Sequence, residues 1–326
     1  GGAGSTIQLA ASGILLDGFT ITREGNNPAQ WNLALNTAGV AIQNQAGIEV
    51  RNCRIVGNRT GLDINNASGH SIHNNVIEDN RTGVILRNQT DGCTFTENSI
   101  SANWTVGVLF LDASSGSNSP LQQALGTTFS NNTISGNWYG QIVDRQTGGS
   151  LPAAGTTNLK DFSGNWLGTT TPVISSANSA EPGYAAQIPV AYGGSATAPG
   201  GQPDICGIAS ANVDITPLLG SGTDTDVAFG FQGSFSLLTV TDELAQVGSV
   251  GRVQEGHDLA FGTTVNLTAG LFVENLTGTL QVVAKDVNGD GYADLITPDN
   301  SNSTVSIALG NGNGTFQARR TYATGA

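Results

Sequence analysis

Three consecutive stretches between Gly47 and Leu111 carry nearly the same pattern. Val50 to Ile64, Ile72 to Leu86 and Phe95 to Phe110 each hold two short apolar segments, each followed by a small or polar residue, then a Gly with an apolar run behind it. Ile55 and Ile77 are 22 residues apart, and Ile77 and Ile100 are 23 apart. A unit of that length cannot bury its own apolar row, so copies must stack. Ile77, Val84 and Leu86 can all face inward only if the chain runs as short strands, because strand side chains alternate faces. Stacked strands lie about 4.8 Å apart, which buries one continuous row. Gly61, Gly83 and Gly107 are expected to supply the backbone freedom of tight corners.

Two columns of Asn run through the repeats. Asn75, Asn98, Asn132 and Asn165 share one place in successive coils, with Cys53 in that place in the first. Asn58, Asn80, Asn103 and Asn137 share another. Such amides can hydrogen-bond from rung to rung. Residues 5–220 thereby resemble the right-handed parallel β-helix family, which includes pectate lyases, polygalacturonases and many secreted surface proteins. The resemblance implies an all-β right-handed parallel β-helix solenoid, and a secreted or cell-surface protein of bacterial origin. One fold hosts many functions, so activity has to be argued from a site.

The chain divides into 1–222, a β-helix with an irregular C-terminal wrap; 223–280, a linker and a partial second β-helix start; and 281–326. Polar insertions interrupt the solenoid at Arg23 to Ala38, Ala113 to Gly126 and Gln146 to Thr157. Asn165-Trp166-Leu167-Gly168 resembles a motif that often closes β-helix domains. Thr169 to Ala211 reads as a wrap over the last coils, and Gly220 to Asp226 as a linker. Phe235 to Asp242 is expected to be a strand. Gly251 to Ala260 and then Thr263 to Asn275 look like the short amphipathic helix and first strand of another β-helix. Asp286 to Leu295, with Gly310 to Phe316 downstream, resembles an FG-GAP/VCBS repeat. The chain holds no Met, and Gly1 begins inside a coil, so it reads as a piece of a longer protein.

Charged residues make up 11% of the chain against 45 Gly, and the formal net charge is −13. That charge argues against nucleic acid as a partner and suits calcium or cationic partners. No apolar run reaches membrane-span length. The three cysteines, Cys53, Cys93 and Cys206, show no Cys-x-x-Cys pair and read as buried free thiols.

The strongest chemical motif is Asp286, Asn288, Asp290 and Asp294 at positions 1, 3, 5 and 9 of a Gly-containing loop, with the Tyr292 carbonyl at position 7. Calcium takes six to eight hard oxygens, and alternating carboxylates supply them. Position 12 is Thr297, so the loop is not an EF-hand, and the expected role of calcium is structural.

A glycoside hydrolase needs two carboxylates about 5–10 Å apart over one cleft. Asp63 is expected to face outward, with Ile85, Leu109 and Ile142 as counterparts. Two residues further on come Asn65, Arg87, Leu111 and Asp144, and neither column holds an acid pair. Glu78 and Asp79 read as a solvated edge. Arg87 is the one tempting base for a lyase. His70 and His73 read as exposed turn histidines, and no catalytic residue is assigned. The apolar column suggests contact with a neighbour or cover by a loop. Trp31, Trp104 and Trp138 are candidates for sugar stacking. The sequons at Asn58, Asn80, Asn88 and Asn103 are better read as structure than as glycan acceptors.

These readings lean away from an enzyme. They favour an extracellular or cell-surface structural or adhesion protein, a β-helix scaffold with calcium-stabilised repeats. Self-assembly, neighbouring surface proteins or a polysaccharide are the expected partners. The alternative is a polysaccharide lyase, a glycoside hydrolase or a non-catalytic polysaccharide-binding module.

Overall fold

The computed structural model describes residues 4–23, 38–112, 120–146, 158–176, 203–249, 251–260, 264–267, 283–299, 303–312 and 315–324. The described residues between 4 and 219 coil into three parallel sheets. The eight-stranded sheet runs Ile7–Leu9, Val40–Gln43, Thr60–Asn65, Thr82–Arg87, Val106–Leu111, Gly140–Asp144, Ile205–Cys206 and Ile174–Ser175 in spatial order. The seven-stranded sheet runs from Leu15–Asp17 through Ser71–His73 and Thr94–Thr96 to Lys160–Asp161 and Val213–Asp214. A five-stranded sheet, Thr20–Ile21 to Thr133–Ser135, closes the third side. The first five coils each contribute one short strand to each sheet, as the repeat requires.

The interior is one apolar column. Ile55, Ile77, Ile100 and Ile134 stack from the five-stranded sheet, and Leu62, Val84, Val108 and Ile142 from the eight-stranded one. Phe95, Phe129 and Phe162 stack face to face at 4.1 and 4.2 Å between centroids. Such stacks add attraction beyond the area they bury. Cys53, Cys93 and Cys206 are buried free thiols.

The corners are made differently from the sequence expectation. Gly61, Gly83 and Gly107 do not take left-handed conformations. A Cβ on Gly61 would sit 2.6 Å from the Gly83 carbonyl oxygen, and one on Gly83 would sit 2.6 Å from that of Gly107. These glycines are needed for close approach between coils. The turns come instead from residues just before the Asn columns. Asn52, Asn74, Glu97 and Asn131 (φ 52 to 58°) precede one column, and Gly57, Asp79, Ala102 and Gly136 (φ 52 to 70°) precede the other.

Both amide columns form. The Asn98 Oδ1 accepts from the Asn75 backbone N–H at 3.0 Å and from its Nδ2 at 2.9 Å, while the Asn98 Nδ2 donates to the Ile72 carbonyl at 2.8 Å. The pattern repeats from Cys53 to Asn165. In the second column it runs from Asn58 to Asn137 and ends on Gln141. The sequons at Asn58, Asn80 and Asn103 are therefore ladder positions, and Asn88 is buried as well.

The expected wrap returns to the coil: Ile205–Cys206 pairs with Gly140–Asp144, and Val213–Asp214 with Lys160–Asp161. The stretch 220–233 packs on the solenoid. A Cβ on Gly222 would meet the Trp166 indole at 2.2 Å, and the Phe231 N–H donates to the Glu97 carbonyl at 2.9 Å. Leu237–Val240 pairs with Leu218–Leu219 and, in parallel, with Thr264–Leu267. The helix Arg252–Leu259 connects the parallel pair. Val283–Lys285, Asp294–Asp299, Thr304–Ala308 and Arg320–Ala323 form a separate antiparallel sheet. No helix among the described residues is long and apolar enough to cross a membrane.

Candidate functional site

The outward face of the eight-stranded sheet carries the expected column with one change. Asp63, Ile85 and Leu109 are register partners, but the next is Val143. Ile142 points inward beside Val108. The structure aligns Gly140 with Val106, one residue off the sequence alignment with Gly107. The slip also turns Asp144 inward, next to Phe110. There it pairs with Lys160 at 2.7 Å, both side chains fully buried, with the Lys160 ammonium 5.1 Å from the Phe110 ring centroid. Burial pushes the Asp144 carboxyl up and the Lys160 amine down, and their mutual attraction opposes both shifts.

Beside the apolar column lies a groove of about 190 Å³. Ile85, Leu109 and Leu111 form its apolar wall, and Arg59, Arg81 and Arg145 line it with Thr60 and Thr82. The chain has only 12 Lys and Arg, and three of them line this one groove, with the Asp63 carboxylate acting on Arg59 from nearby. The local repetition explains it: Arg59 and Arg81 both follow a ladder Asn, so stacking coils places them one above the other. Burial lowers the Arg59 pKa, with repulsion from Arg81 and Arg87 adding to it. An anion brought into this field would be attracted.

Arg87 lies beside the groove, and its guanidinium clamps Asp63 at 2.9 and 2.5 Å. Burial raises the Asp63 carboxyl and Arg87 opposes that rise. Arg87 is thus engaged with an acid on the neighbouring coil, which the sequence reading did not foresee. No carboxylate lines the groove among the described residues. A register pair of acids does occur elsewhere, Asp161 and Asp214, which a long excursion separates in sequence. The Val247 N–H donates to Asp214 Oδ2, and the Ala245 N–H to the carbonyl of Val213 before it.

His70 is buried, contrary to the exposed-turn expectation, and its Nδ1 accepts from the Ile48 N–H at 3.1 Å. Burial lowers its pKa to about 4, so the ring is neutral at physiological pH. His73 is half-buried between Glu49 and Asn74. Glu78 pairs with Arg54 on the adjacent coil. Trp104 is buried and offers no open platform, while Trp138 is half-buried one coil on. Trp31 lies outside the described residues.

In the loop 286–294 the Asp286 carboxylate accepts from Gly289 and Gly291 N–H at 2.6 and 2.9 Å, which holds it below the usual range. Asn288 Oδ1 accepts from the Asp290 N–H, and Asp290 Oδ1 from the Tyr292 N–H. Asp294 is buried and accepts from the Val287 and Gly310 N–H at 2.9 and 2.8 Å, joining the acidic loop to the downstream Gly-rich turn. The Tyr292 ring fills the space beside Gly312. The donor type suits a hard cation. As built, these side chains serve the loop's own N–H groups, and among the described residues no three His, Cys, Asp or Glu converge as metal ligands.

Stacked parallel sheets closed by amide ladders define a right-handed parallel β-helix. Residues 12–140 match the family model described as a right handed beta helix region. Among the curated proteins no relative matches the chain.

Proposed function

We propose that this chain is an extracellular or cell-surface scaffold that holds an acidic polysaccharide without cleaving it. The observation that carries the reading is the arginine-lined groove with an apolar wall. Guanidinium groups pair with carboxylate or sulfate in a fixed fork geometry, and apolar side chains suit the faces of sugar rings. The repeating coil would present such groups along the direction of a chain-like ligand. A retaining or inverting hydrolase would need two carboxylates over the groove, and Asp63 is already clamped by Arg87. In this reading the loop Asp286, Asn288, Asp290, Tyr292 and Asp294 takes up calcium and stiffens the C-terminal repeat, supported by its hard-oxygen donor set. Adhesion or assembly follows from holding glycan on a rigid rod.

The test is affinity electrophoresis through gels containing polygalacturonate, alginate, a sulfated glycan or a neutral glucan, with a parallel assay for released products. Retardation by acidic gels alone, without product, is expected. Product release would convert the reading to an enzyme, and equal retardation by the neutral glucan would overturn it. Calorimetry with calcium separately tests the loop: absence of binding would remove calcium from the proposal.

A further inference from the structure

The groove lies between two rows of cationic positions. Arg59 and Arg81 stand on successive coils in one row, each directly after a ladder Asn. The second row follows from the register of the eight-stranded sheet. Arg87 is the partner of Leu111, and Arg145 follows Asp144, the partner of Phe110. Arg87, Leu111 and Arg145 therefore share one column on three successive coils. Leu111 and Arg145 line the groove. Arg87 shares their column, but its guanidinium is turned away from them, across one strand to Asp63 on the other side.

A single side chain holds it there. The Arg87 Nε–H donates to Asp63 Oδ1 at 2.9 Å and the Nη2–H to Oδ2 at 2.5 Å. Two parallel bonds of this kind are the strong geometry for a guanidinium on a carboxylate. The other members of the Asp63 column are Ala41, Ile85, Leu109 and Val143, whose side chains accept no hydrogen bond. The Asp63 side chain is only 6% exposed, whereas that of Arg87 is 30% exposed, so Arg87 is the member with room to swing. Asp63 also attracts Arg59 in the first row, so one carboxylate draws on both rows.

We infer that Asp63 sets the affinity of the groove for acidic ligands: it withholds Arg87 and partly offsets Arg59, so a ligand meets three arginines where the two rows carry four. This inference rests on the reading of the groove as an acidic-polysaccharide site and names the residue that tunes it. Removing Asp63 leaves Arg87 without its carboxylate partner, beside Leu111 at the groove wall. An acid group of the ligand then becomes its counter-ion.

Calorimetric titration of a uronic-acid oligosaccharide into the protein and its variants, at several salt concentrations, tests this. Asp63→Ala copies the residue at the same place on the neighbouring coil, Ala41. It should bind about threefold tighter than the unaltered protein, the scale of one added partly exposed ion pair. Its affinity should also fall more steeply with salt, as an extra charge contact requires. Asp63→Asn keeps the shape and one acceptor oxygen for Arg87, so it should show a smaller gain and guards against a folding defect in the Ala variant. Adding Arg87→Ala to Asp63→Ala should cancel most of the gain. A merely structural pair would lower the urea midpoint in both Asp63 variants and leave affinity and salt dependence unmoved. That result, or a gain that survives Arg87→Ala, would overturn the role of Asp63 while leaving the groove reading intact. No binding by the unaltered protein would overturn both.

Discussion

Two kinds of corner in the same coil satisfy buried backbone N–H groups in opposite ways. At the Asn corners, between Cys53 at the start of one column and Gln141 at the end of the other, the rungs use the same residue, and each amide bonds to its neighbouring rungs. At the corner before the seven-stranded sheet, the successive residues are Ile48, His70, Cys93, Thr127 and Lys160. There the Ile48 N–H goes to His70 Nδ1 and the Cys93 N–H to Thr127 Oγ1, both at 3.1 Å, while Lys160 reaches Asp144. The uniform corner is a chain in which one loss strands groups on two neighbouring rungs. The mixed corner is a set of separate solutions, so the cost of a substitution depends on what that one residue does.

The sharpest way to break this contrast is Lys160→Met. It leaves the Asp144 carboxylate buried without its partner and should cost about 4 kcal/mol, read from the urea midpoint. Adding Asp144→Leu should recover most of that loss, since a buried pair is worth little against well-packed apolar groups. Next comes the ladder itself. Asn98→Leu abandons the Asn75 N–H and the Ile72 carbonyl, and should cost about 3 kcal/mol in the same measurement.

A smaller effect is expected at His70. Its folded pKa of about 4 lies below the ordinary 6.5, so the folded state favours the neutral ring. That contribution is complete above about 6.5 and is lost as pH falls toward 4. His70→Thr places a hydroxyl where Thr127 already serves one rung on, and should remove most of the acid sensitivity in urea titrations at pH 7 and pH 4. The smallest effect is Cys93→Thr, expected to change stability by less than about 1 kcal/mol. A large loss there would show that the mixed corner is as cooperative as the ladder.

The same contrast explains what the sequence could reveal. Asn75, Asn98 and Asn132 announce their place because each rung solves the corner with the same side chain. His70, Cys93 and Thr127 have no residue type in common, so only the register shows that they form a column. Two of the three groove arginines, Arg59 and Arg81, follow ladder residues and were within reach of the repeat, but Arg145 required the true register of Gly140–Asp144. That strand departs from the repeat by one residue. The slip moved Asp144 from the outward face to the core and replaced Ile142 by Val143 in the apolar stripe. The Asp161–Asp214 pair was illegible because more than two repeat lengths of sequence separate its members, with Ile205–Cys206 pairing to Gly140–Asp144 in between. The acidic loop was legible as a donor set, whereas its internal N–H bonding depends on backbone geometry that spacing alone does not specify.

The most direct test of the account is calorimetric titration of a uronic-acid oligosaccharide into the protein and into its Arg59→Ala, Arg81→Ala, Arg145→Ala triple variant. The account predicts binding that weakens with added salt and at least a tenfold loss in the triple variant, with the ladder-dependent urea midpoint little changed. Equal affinity in the two proteins, or binding indifferent to salt, would contradict it.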